Sequence, residues 1–160
     1  MEFRTVGRDE LRPLTQSPEY AKAILARTTA FLLGLGATFN GKENGNIVGL
    51  SIAPSESGRE LALVDSPYGK ARFVFEWHVD EREPIGRLIL QRQQFDNMDR
   101  VFWEPVWGVY ITGFEGMYVQ KGVAAPEGLN SAMEDNVRKG FLEIGMVMML
   151  AIIKGPLVTV

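Results

Sequence analysis

Residues 70–93 read KARFVFEWHVDEREPIGRLILQRQ, and the alternation inside this stretch decides the fold. Phe73, Phe75, Trp77 and Val79 share one parity, and Arg72, Val74, Glu76, His78 and Asp80 share the other. Successive side chains of a strand point to opposite faces, so this is a half-buried strand. The next run repeats the pattern, with Leu88 and Leu90 against Arg87, Ile89 and Gln91. Between the two lies the charged connection Glu81-Arg82-Glu83-Pro84, which predicts a β-hairpin. Pairing Val79 with Gly86 sets Trp77 opposite Leu88 and Phe75 opposite Leu90. On the polar side it sets His78 opposite Arg87 and Glu76 opposite Ile89. A slip of one residue would bury Arg87 and expose Leu88, so parity is strongly specified. Phe73, Phe75, Trp77, Leu88 and Leu90 are therefore expected to be buried, and Arg72, Glu76 and Arg87 to be markedly more exposed. Each large apolar side chain so buried contributes about 1.5–3 kcal/mol.

The sheet extends from this hairpin in both directions. Upstream, Ile47–Ala53 alternates Val48, Leu50 and Ile52 against Gly49 and Ser51, and a return strand spans about Arg59 to Asp65. Ser66-Pro67-Tyr68-Gly69 has the proline-second, glycine-fourth pattern of a type I turn. Downstream, 101–111 is aromatic-rich, with Val101, Trp103, Trp107, Val109 and Ile111 on one parity. Pro105 cannot donate a ladder hydrogen bond, which predicts an edge position or a bulge near Glu104. A last strand is expected over about 117–121.

Helices flank the sheet. Residues 1–16 read as a short strand and a polar arm. Ser17-Pro18-Glu19 then starts a helix, with a capping serine, a proline at the first helical position and an acid at the positive end of the dipole. Its apolar stripe runs through Ile24, Leu25, Phe31 and Leu32, and Gly34 or Gly36 is expected to end it near residue 35. A second helix over 131–154 opens on the capping-box pattern Ser131-x-x-Glu134 and stops at Gly155-Pro156. Its later half, 140–153, holds a single charge, Glu143. That run is too short to span a bilayer, which takes about 20 residues. Being apolar all round, it is expected to be covered on more than one side.

Composition narrows the chemistry. The chain has 160 residues, a size that suits a single domain over 1–160. A net charge of −3 with no basic run argues against a nucleic-acid or anionic-membrane surface. With no cysteine, disulfides, thiolate metal sites and cysteine nucleophiles are ruled out. The charged N-terminal stretch lacks the apolar core of a signal peptide, so an intracellular, soluble protein is expected.

Three sets of residues invite functional readings. Gly36 to Lys42 matches a phosphate-binding loop as far as its lysine, but Glu43 stands where a hydroxyl should hold magnesium. It also leads from helix to strand, the reverse of the required context. Glu76, His78 and Asp80 share a strand face, and alternation alone produces such sets. His78 is the only histidine, and no metal site or catalytic residue is assigned. The third set is aromatic and apolar: Trp77, Trp103, Trp107, Tyr110, Phe114 and Tyr118, with Met146, Met149, Leu150 and Ile153 on the second helix. These suit core, ligand pocket or interface alike.

Together these readings predict an α+β fold. A curved antiparallel β-meander of six to seven strands carries an N-terminal helix and a long C-terminal helix packed on it. The order strand, helix, six strands, long helix resembles the helix-grip arrangement of hydrophobic-ligand-binding proteins. That resemblance implies a pocket for an apolar small molecule, in a carrier or a cyclase-like enzyme. The residues themselves point instead to a non-enzymatic structural or interaction subunit. It would need no cofactor, and would associate with itself or a larger assembly through apolar surfaces, with Met146, Met149, Leu150 and Ile153 near the contact.

Overall fold

The computed structural model describes residues 18–41, 48–56, 58–80, 83–113, 117–120, 123–124 and 134–156. The fold is α+β. Helix α1 spans Pro18–Phe39 and helix α2 spans Glu134–Lys154. Five successive strands, β1 (Ser51–Pro54), β2 (Glu60–Ser66), β3 (Gly69–Asp80), β4 (Glu83–Phe95) and β5 (Val101–Ile111), form an open antiparallel sheet. Each strand pairs with its neighbour in sequence. After β5, the short segments Met117–Gln120 and Val123–Ala124 are extended, with Tyr118 opposite Tyr110 and Met117 opposite Ile111. The expected arm over 1–16, the Ser17 and Ser131 caps, and Phe114 lie outside the described residues.

The central hairpin keeps the expected parity and moves the expected register by two residues. Trp77 pairs with Gly86, Phe75 with Leu88 and Phe73 with Leu90, while Glu76 faces Arg87 and His78 faces Ile85. The ladder runs to Asp80↔Glu83, where a longer connection was expected. A shift of two leaves every side chain on its own face, so burial cannot distinguish the two registers. Phe73, Leu88 and Leu90 are fully buried, but Trp77 is 49% exposed, against expectation. The space over Gly86 is filled: a Cβ there would lie 2.6 Å from Ile24 of α1 and 2.7 Å from the Phe75 ring. Trp77 therefore lies past that filled space and packs edge-on against Phe75, centroids 5.0 Å apart. Arg72 and Arg87 are half-buried, not markedly exposed, because each guanidinium lies over an aromatic ring of β5.

The β5 register breaks at its proline. Leu90 pairs with Trp107, but Gln91 pairs with Pro105, so Val106 is the extra residue of a bulge. This corrects the expectation that Trp103 and Trp107 share a face. Trp107, Val109 and Ile111 pack with the buried core, whereas Trp103 stacks on Arg72 across the opposite face. Val106, of the other parity, is also buried in the core.

Both helices pack on the same sheet face. Ile24, Phe31, Leu35 and Phe39 of α1 and Phe141, Ile144, Met148 and Ile152 of α2 form one core with Phe73, Leu88, Leu90 and Val109. The expected end of α1 near residue 35 is wrong: the helix continues through both glycines to Phe39. At Gly34 α2 packs directly on the α1 backbone, since a Cβ there would overlap the Phe141 ring. Reciprocally, a Cβ on Gly145 of α2 would overlap the Phe39 ring of α1. Each helix thus offers a bare backbone to an aromatic ring of the other, and the glycine cost of helix formation is offset by close packing.

Polar groups hold the ends in place. The Asn40 side chain lies along β1, its Nδ2 donating to the Ile52 carbonyl (2.6 Å) and its Oδ1 accepting from the Ile52 N–H (2.8 Å). It occupies backbone groups that a free sheet edge would present. Arg92 Nε donates to Glu104 (2.7 Å) and Nη1 donates to the Ile152 carbonyl (3.2 Å), so a cation sits at the negative end of α2. Gly155, at φ +90°, ends that helix by donating to the Ala151 carbonyl (2.9 Å).

Candidate interaction surface

The helical layer determines what the sheet's covered side shows to its surroundings. Ile24, Thr28, Phe31, Leu35 and Phe39 turn α1 inward at helical spacing, and the Thr28 hydroxyl is satisfied by the Ile24 carbonyl (2.8 Å). Past the exposed Glu19 and Lys22 of its first turns, the residues that face outward are Leu25, Ala26, Thr29, Ala30, Leu33 and Ala37. None is charged, and Leu33 is 66% exposed. Arg27, the one charge in this part of α1, is half-buried and donates to the Thr112 carbonyl. Leu25, expected on the buried stripe, is among the exposed residues.

On α2 the inward set is Ile144, Met148, Ala151 and Ile152. Met146 (60% exposed), Leu150 (41%) and Ile153 (49%) fall on the outward side. Met149, placed with them by the sequence, packs against the core instead. The later half of the helix is apolar around its circumference but for Glu143, so its sequence carries little directional signal. Contact with α1 through Gly145 and with β3 and β5 chooses the buried side.

The aromatic candidates do not form one site. Trp77 is half exposed, towards the β3–β4 turn; Trp103 and Tyr110 lie under Arg72 and Arg87, and Trp107 packs with the core. The buried Trp107 indole N–H has no hydrogen-bond acceptor among the described residues. The backbone of Tyr118 pairs with Tyr110. Around Trp103, Arg72 also donates to Gln91 (2.9 Å) and lies 3.5 Å from Glu60, which makes this face a polar lattice over Val74 and Ile89. Glu76 and His78 are exposed, and Glu76 has the cation Arg87 as its cross-strand neighbour.

A further exposed apolar group occurs at the β4–β5 turn, comprising Phe95, Met98, Val101 and Phe102. Asp96 shapes this turn by accepting from the backbone N–H groups of Met98 (2.8 Å) and Arg100 (2.9 Å). These hydrogen bonds, the one from Arg100 first, hold its carboxyl below the ordinary value of 3.8. Asp99 adopts φ 57°, a conformation that a short polar side chain tolerates.

No protein-family model matches the chain, and no curated protein or solved structure is significantly similar to it. No helix among the described residues is long and apolar enough to cross a membrane.

Sequence reasoning missed the outward face of α1. Its signal is present: between residues 23 and 41 the only charge is Arg27. A helix with a solvated back normally carries charges there.

Proposed function

We propose that the protein is a non-enzymatic interaction subunit that self-associates through its helical layer. One observation carries this reading: both helices expose large apolar side chains on the layer's outward side, Leu25 and Leu33 on α1 and Met146, Leu150 and Ile153 on α2. Contiguous apolar surface beyond a few hundred Å² is uncommon on monomers and usually marks a contact site. The alanines of α1 add a geometric reason, because small side chains let a second helical layer approach closely. In the same reading, the two short segments after β5 carry the sheet on to six or seven strands, and the meander curves around the helices.

The alternative, an apolar ligand held between sheet and helices, has less support. Phe31, Phe39, Phe73, Phe141 and Met148 are buried in that space and pack there as core.

Light scattering tests the proposal. At tens of micromolar the wild type is expected at a multiple of its 17.9 kDa chain mass. Leu33→Glu and Leu150→Lys should each lower that mass with unchanged circular dichroism. A wild type that runs as a single chain would refute self-association. Native mass spectrometry of the same sample, showing a stoichiometric small molecule, would favour the pocket.

A further inference from the structure

The outward side of α2 has an order that bears on how two copies meet. Glu143, Met146, Leu150 and Ile153 are exposed at spacings of three, four and three, the seam spacing of packed helices. Lys154 follows, also exposed, in the last turn. The apolar trio is thus bracketed by an anion and a cation about 16 Å apart along the helix axis. Neither Glu143 nor Lys154 has an ion-pair partner among the described residues.

Resting on the reading of the helical layer as a self-association surface, we propose that two copies pack α2 against α2 in antiparallel orientation about a two-fold axis. Met146 of each copy then meets Leu150 of the other, and Glu143 of each lies against Lys154 of the other. Parallel packing would superpose Glu143 on Glu143 and Lys154 on Lys154, with repulsion at both ends. Antiparallel packing turns both ends attractive and opposes the helix dipoles. It is also self-complementary, as a closed two-fold interface must be. Three apolar side chains fall short of the roughly 800 Å² per partner of a stable interface. The neighbouring α1 face supplies the remainder, held beside α2 by the Gly34–Phe141 and Phe39–Gly145 contacts.

The absence of cysteine makes cross-linking a clean test. Glu143→Cys and Lys154→Cys, one of them mass-tagged, are oxidised separately and as a mixture. Disulfide dimers are expected only between the two different variants, since like positions lie about 16 Å apart in the antiparallel arrangement. Charge exchange gives a second measurement. Glu143→Lys and Lys154→Glu should each weaken association about three- to ten-fold, and the double variant should restore it. Self-linked dimers from either variant, or a double variant as weak as the singles, would overturn the antiparallel arrangement. Self-association would survive that result if Leu150→Lys still dissociates the wild-type oligomer. A monomeric wild type would overturn both proposals.

Discussion

Gly145→Ala places a methyl group inside the contact that joins the two helices. The added carbon would lie 2.6 and 2.8 Å from two Phe39 ring atoms and overlap a third, far closer than van der Waals contact. Phe39 is buried, so the ring cannot swing into solvent without opening the core. At an unhindered helix position the same substitution gains about 1 kcal/mol of helix propensity. Overpacking a closed core costs about 1–3 kcal/mol, and an overlap this deep belongs at the upper end. The net expectation is a loss of about 2 kcal/mol, or roughly 4–8 °C in melting temperature for a domain of this size. Gly36→Ala is the internal control. Its added carbon would meet Asn40 Nδ2 at 3.5 Å and the Ile52 carbonyl at 3.8 Å, both ordinary contacts. It should gain up to about 1 kcal/mol. Urea and thermal unfolding followed by circular dichroism read both variants. Adding Phe39→Leu to Gly145→Ala should recover part of the loss, a non-additivity expected of residues in contact. If Gly145→Ala proves as stable as Gly36→Ala, the helices do not interlock as described.

The other expectations concern the polar anchors and the hairpin. Asn40→Ala removes both hydrogen bonds to Ile52 and should cost about 1–3 kcal/mol while freeing the β1 edge; amide exchange at Ile52 that stays as slow as in wild type would contradict this. Arg92→Met leaves Glu104 and the α2 carbonyls without their cation, for a loss of about 1.5–3 kcal/mol in urea unfolding, and an unchanged midpoint would show that the cap contributes nothing. Asp96 has a folded pKa below its ordinary 3.8, so its contribution to the β4–β5 turn is complete above that value and is lost as pH falls through the folded pKa. A carboxyl carbon titration by NMR with a midpoint at or above 3.8 would refute it. Phe73→Ala should cost about 3–5 kcal/mol and the half-exposed Trp77→Ala clearly less, and equal losses would mean that Trp77 is buried in solution.

The alternation from Phe73 to Leu90 is a local property of the chain, and it determined which face each residue of the central hairpin occupies. Pro105 likewise limited that part of the strand to an edge position or a bulge, since it has no N–H to give an unbroken ladder, and the structure has the bulge. Choices between states of equal local merit passed to the tertiary structure. The two hairpin registers differ by two residues and bury the same sets, so Ile24 and Phe75 packing over Gly86 accompanies the one adopted. Gly34 and Gly36 look like a helix end until Phe141 packs against the first. Trp103 and Trp107 share a parity in sequence, and only the extra residue at Val106 parts them. The later half of α2 is apolar on every side, so nothing local distinguishes Met149 from Leu150. Contact with α1 and the sheet turns Met149 inward and leaves Met146, Leu150 and Ile153 facing out, because a helix without a polar face takes its orientation from its neighbours.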